Sequence, residues 1–296
     1  MHLTENRHGP GIEQTVIAIV TDHPDTTHAV RWAAEEALVR GHRLGMVGVL
    51  TPRAGRAQDP TGDDDETAAV SRLLAARSIV NDVARGHGRD DLRLDLSTER
   101  GPLVPTLVEV SSRAAIMVIG TLGVDPRHPG HIGGARGGLV AAARCPVVRV
   151  VRPVRRLDSR TGPVVAAVSE NHDDDVLRIA AEEATLRGVP LVVATGDTSH
   201  RMVDDVLRDH TQRTSAPVVV TRRHTADALA RQVIRSSRSA QLVVVRASDA
   251  EAGLRLWHRA TPFDGESFLH AVGCPIMMMP VRSRAVGMRL RHALHV

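Results

Sequence analysis

The stretch from Gly120 to Gly134, GTLGVDPRHPGHIGG, has the residue types that could hold an anion. Its glycines at 120, 123 and 133 are spaced G-x2-G-x9-G, and Gly134 follows directly. Glycine has no Cβ and reaches positive φ without strain, so a backbone rich in it can close on a phosphate. The stretch follows the apolar run AAIMVI and leads into a helix-like segment from about 134. A strand–loop–helix junction of this kind sets free N–H groups and the positive end of a helix dipole beside the loop, which suits a phosphate. Arg127, His128, His131 and Arg136 bring further basic groups to it.

Little else in the chain has the look of reaction chemistry. No nucleophile–base pair emerges, and neither Cys145 nor Cys274 has a neighbour at metal-ligand spacing. Each cysteine precedes a proline at the start of an apolar run, which reads as a small buried residue. HIGG, from His131, lacks the last histidine of the HIGH motif and follows the wrong strand for it. GDDDE at 62–66 reads as a solvated loop and helix cap rather than a cation site. Aromatic residues are 1% of the chain, so stacking platforms for nucleic-acid bases are missing. All 38 basic residues are arginine and they are spread out, whereas a nucleic-acid binder gathers them on one face. No apolar run reaches the roughly 18 residues of a membrane span, and the first residues are polar. The expectation is a cytoplasmic chain with no nucleic-acid or membrane partner.

The elements that must position the loop repeat themselves. TVIAIVTDHPDTTHAVRWAAEEALVRG from Thr15 and PVVAAVSENHDDDVLRIAAEEATLRG from Pro163 share a strand, a turn and a helix carrying AAEEA. AARCPVVRV near Cys145 matches AVGCPIMMM near Cys274. Within the first copy, apolar runs near 15–21, 43–50, 91–97, 116–120 and 146–151 alternate with helical segments near 26–40, 67–86, 103–114 and 134–143. Val30, Ala33, Ala34, Ala37 and Leu38 form the stripe of the first helix, and Gly41 ends it. Strands alternating with helices imply parallel strands and right-handed crossovers. The second copy places strands near 163–169, 190–195, 216–221, 241–246 and 275–280. The fold class is therefore α/β, two repeated doubly wound five-stranded parallel-sheet (Rossmann-like) domains. The expected division is a polar extension 1–14, a first domain 15–152, a linker 153–162, a second domain 163–280 and a basic tail 281–296.

The glycine spacing, with Cys145-Pro146-Val147 opening the last strand 12 residues after Gly133 and AVRWAAEEA in the first helix, resembles the universal stress protein family in its nucleotide-binding branch. The resemblance covers nearly the whole chain as a tandem pair. It implies that Asp22, in which the first strand ends, holds the sugar region of an adenine nucleotide. It implies that the backbone near Val49 holds the adenine, and that Gly120, Gly123, Gly133 and Gly134 wrap the phosphates. The family's Ser or Thr after the last motif glycine is Gly134 here, so its N–H remains and its hydroxyl is absent. It also implies that the two domains pair through their last strands as an intramolecular pseudo-dimer.

The second copy departs from the motif. Arg246-Ala247-Ser248-Asp249 stands where G-x2-G would, and Pro262 stands 12 residues before Cys274. The expectation is ATP or a related adenine nucleotide, with or without Mg2+, in the first domain only. The chain would act as a regulatory binder rather than an enzyme, with slow ATP hydrolysis as the most it would catalyse. A homodimer and an unnamed protein partner stay open, and the alternative is a nucleotide-free scaffold with a relic loop.

Overall fold

A computed structural model describes residues 14–51, 63–89, 91–120, 139–150, 161–168, 174–196, 200–213, 217–222, 226–246 and 266–280. The first half contains β1 (Thr15–Val20), α1 (Thr26–Arg40), β2 (Arg43–Leu50), α2 (Asp63–Gly86), β3 (Leu94–Arg100), α3 (Leu103–Ser111), β4 (Ile116–Ile119), α4 (Leu139–Ala142) and β5 (Val147–Arg149). The second contains β6 (Val164–Val168), α5 (Asp174–Arg187), β7 (Leu191–Thr195), α6 (His200–Arg213), β8 (Val218–Arg222), α7 (Ala226–Ser237), β9 (Leu242–Arg246), α8 (Glu266–Ala271) and β10 (Ile276–Met279).

The ten strands form one sheet in the order β3-β2-β1-β4-β5-β10-β9-β6-β7-β8. Every neighbouring pair is parallel except β5 with β10, which run antiparallel with Val148 beside Met277. The two last strands thus meet as the resemblance implied, and the edge that each would expose is covered. Side chains alternate between two apolar layers. Val16, Ala18 and Val20 join a core with α1, α2, α5 and α6, while Ile17 and Ile19 join one with α3, α4, α7 and α8. Covering on both faces explains why the inner strands are almost wholly apolar.

The third strand is a correction to the sequence reading, which set it at 91–97. It runs Leu94–Arg100 and its side chains are mostly exposed. As an outer strand of the sheet it can end in Ser97, Thr98, Glu99 and Arg100, which a central strand could not carry. α2 likewise begins at Asp63, so the acidic run lies inside the helix instead of preceding it. The stripe of α1 is buried as expected, and Gly41 closes the helix at φ 64°, a left-handed cap.

The repeated AAEEA segment has a role that its sequence does not announce. Glu36 and Arg40 of α1 meet Glu183 and Arg187 of α5 in a ring of four charges across the approximate two-fold axis between the halves. Arg40 Nε donates to Glu36 Oε1 and Arg187 Nη2 to Glu36 Oε2, both at 2.5 Å. Arg40 Nη2 donates to Glu183 Oε1 and Arg187 Nη1 to Glu183 Oε2. The two glutamates are 3% exposed and Arg187 is 10% exposed, so the ring is largely out of water. Burial, together with the like charge of Glu36, holds the Glu183 carboxyl above its ordinary range, although Arg187 and Arg40 pull it back. Burial works against the Arg40 cation, but Glu183 and Glu36 outweigh it and raise its pKa.

Glu36→Ala leaves two half-buried arginines each short of a partner and should destabilise the chain by about 3 kcal/mol, read from its urea unfolding midpoint. Replacing all four ring residues by Leu and Met should restore most of that loss, because apolar packing avoids the cost of dehydrating charges. Cys145 and Cys274 are buried, and burial pushes each thiol from 9.0 up to about 12. Neither should react with a disulfide reagent at pH 8 until the chain is unfolded. Because the folded value exceeds the unfolded one, their stabilising contribution is intact below about pH 9 and is lost as pH rises towards 12.

Candidate functional site

β1 has β2 on one side and β4 on the other, so chain order reverses between β1 and β4. In open α/β sheets this is where a ligand crevice opens, at the carboxyl ends of the strands. The structure brings Asp22, Val49 and Gly120 to the carboxyl edge of three adjacent strands, β1, β2 and β4. Gly123, Gly133 and Gly134 lie outside the described residues, as do Arg127, His128, His131 and Arg136.

The turn between β1 and α1 is fixed by two threonines. Thr21 Oγ1 and Thr26 Oγ1 are 2.8 Å apart, and the Thr21 N–H donates to Thr26 Oγ1 at 3.2 Å. Thr26 Oγ1 also donates to the Thr21 carbonyl at 3.2 Å, and the His23 N–H donates to Thr21 Oγ1 at 3.3 Å. The Asp25 N–H donates to His23 Nδ1 at 3.2 Å. These bonds hold a short turn whose outer residue is Asp22, with an exposed side chain. No hydrogen bond or ion pair engages that carboxylate among the described residues. Asp22 lies two residues beyond the end of β1, on the turn rather than at the strand terminus that the sequence suggested. Val49 is half-buried, packs on the core beneath α3 and α4, and stands beside Glu99 of β3.

Gly120 has a specific steric reason to be glycine. A Cβ built on it would lie 3.1 Å from the carbonyl carbon and oxygen of Asp25 and 3.2 Å from the Thr26 nitrogen. The end of β4 therefore rests against the first backbone atoms of α1. This close approach brings the loop's first residue to a helix N-terminus, where partial positive charge is concentrated.

The corresponding place in the second half is built differently. Val16 lies beside Ile116 and Val164 beside Leu242, so Gly120 and Arg246, four residues beyond those partners, correspond. Arg246 Nη2 donates to Asp175 Oδ1 in the first turn of α5. The sequence showed that the glycine was replaced but not where the arginine's charge would go.

A cavity of about 260 Å³ lies elsewhere, at the amino edge of the sheet, among Gln14, His42, Arg43, Arg89 and Arg93. His42 Nδ1 is buried there without a hydrogen-bond partner among the described residues. Burial, then the neighbouring Arg40 cation, lowers the His42 pKa. No group of three or more His, Cys, Asp or Glu suited to a metal ion occurs among the described residues.

No family model matches the chain. A universal stress protein of Mycobacterium tuberculosis is 32% identical over 188 residues, which cover 62% of this chain and 65% of that relative. The chain thus spans just under two thirds of that relative's length. A second universal stress protein of the same organism is 30% identical over 264 residues, covering 78% of this chain and 85% of the relative. Among solved structures, a universal stress protein from Archaeoglobus fulgidus shares the fold with a TM-score of 0.68 over 92% of this chain and 97% of that one, at 12% identity. The chain belongs to the universal stress protein family.

Proposed function

We propose that the chain is a cytoplasmic stress-response regulator that binds one ATP, or a related adenine nucleotide, in the crevice between β1 and β4. One observation carries this reading. The first half keeps glycine where β4 meets the start of α1, and the second half does not. In the proposed complex Asp22 accepts hydrogen bonds from the sugar hydroxyls and the backbone at Val49 reads the adenine edge. Gly120, Gly123, Gly133 and Gly134 bring N–H groups to the phosphates. Mg2+, where present, would be held by those phosphates. The proposed units are 15–152 and 163–280, joined by 153–162. Among the described residues no helix is long and apolar enough to cross a membrane. Nucleotide would alter partner choice to the extent that it binds one of two conformations better than the other.

Titration calorimetry of the whole chain with ATP should give about one site per chain. Two equal sites, or none, would reject the proposal, and none would favour a nucleotide-free scaffold. Asp22→Ala should leave the thermal midpoint unchanged, because that side chain is exposed. It should weaken ATP about tenfold or more, since a hydrogen bond to a charged group is worth roughly 1.5–3 kcal/mol. Unaltered affinity in the folded variant would place the sugar elsewhere.

A further inference from the structure

The second half carries a side-chain ion pair at the place where the first half has Gly120. Gly120 lets the end of β4 lie against the backbone of α1. At the corresponding Arg246 a full side chain stands at the end of β9, 12% exposed. It is held by Asp175, 5% exposed, on the first turn of α5. Asp175 lies eight residues before Glu183, as His28 lies eight before Glu36, so the aspartate has no acidic counterpart in α1. The first turn of α5 carries both Asp174 and Asp175, whereas α1 has an acid at its N-cap, Asp25, which makes no capping hydrogen bond and lies 3.5 Å from His23 Nδ1, and none in its first turn. Asp175 Oδ1 also accepts the Val176 N–H at 2.9 Å.

A carboxylate at a helix N-terminus takes the position that an external phosphate takes in other α/β folds. We propose, resting on the one-nucleotide reading above, that Asp175 and Arg246 are a built-in anion and countercharge that occupy the second half's crevice and close it to phosphate ligands. The pair is then the determinant of one-sided binding. An incoming phosphate would have to separate this pair and would bring its own negative charge beside the Asp175 carboxylate. Both the lost pair and the like-charge approach oppose binding. The missing glycines of the second loop explain only a lack of attraction, whereas the pair is a positive barrier.

The test uses the whole chain, inorganic triphosphate as the probe and amide hydrogen exchange as the readout. Asp175→Asn keeps the oxygen that the Val176 N–H uses and removes one negative charge. In that variant triphosphate should protect amides of 174–178 and 242–246 at concentrations about tenfold or more below any that act on the unaltered chain, a gain of one decade. Adding Arg246→Met should abolish the gain. A folded Asp175→Asn variant with no new protection overturns the proposal. If that variant does not fold, the unaltered chain decides. Protection of 174–178 by triphosphate overturns closure, and exchange there unchanged up to the solubility limit of the probe supports it. Peptides from α1 and β4 report on the first half separately, so failure of the ATP reading is read apart from failure of this one.

Discussion

Four charges packed across the line between the halves constrain most of what surrounds them. Glu36, Arg40, Glu183 and Arg187 each have two opposite charges within reach, and none can leave without stranding the others. Such a ring is poor evidence for stability, because dehydrating four ions costs about as much as their attraction returns. Its consequence is geometric. Carboxylate and guanidinium forks fit in few orientations, so the ring admits one register of α1 against α5. β5 and β10 then meet with Val148 beside Met277, and the sheet continues from one half into the other. An apolar contact of the same area would tolerate sliding that the ring does not.

The same geometry explains which features could be read in advance. The strands and the α1 stripe were legible because a parallel sheet covered on both faces demands apolar runs at regular intervals. β3 was misplaced by three residues because an outer strand escapes that demand and carries Ser97, Thr98 and Glu99. The charge ring was not legible for a different reason. Glu35 and Glu36 flank the apolar stripe of α1 on opposite sides, and a helical pattern does not say which flank meets another helix. Only the docking of α5 buries Glu36 to 3%. The signal that could have found it is the repeat itself. Glu36 and Arg40 recur as Glu183 and Arg187 at the same spacing, which is what a two-fold contact between copies requires.

The candidate site was legible only to a degree. Gly120 was singled out for phosphate chemistry, and the structure gives it a second reason, since a Cβ there would lie 3.1 Å from the Asp25 carbonyl and crowd the start of α1. Asp22 and Val49 do not stand out by composition or period. Asp22 lies on the turn after β1 and Val49 on β2, and only the sheet order brings them to the same edge as Gly120. The fate of Arg246 was hidden because its partner is 71 residues away in the chain and joins it only when β9 and α5 pack.

α1 links these observations physically. Its first backbone atoms support the end of β4, and its last turn holds Arg40 in the ring. At about 1.5 Å per residue the helix is a rod roughly 20 Å long, fixed at one end by charge and at the other by the Thr21–Thr26 bonds. A ligand entering beside Gly120 therefore meets a helix that is already in place, so little of its binding energy would go into positioning α1. α5 has the same anchorage through Arg187, but Asp175 and Arg246 stand at its open end. The two copies thus share the ring that fixes α1 to α5 and differ at the N-terminal ends of those helices, where one has Gly120 and the other Arg246.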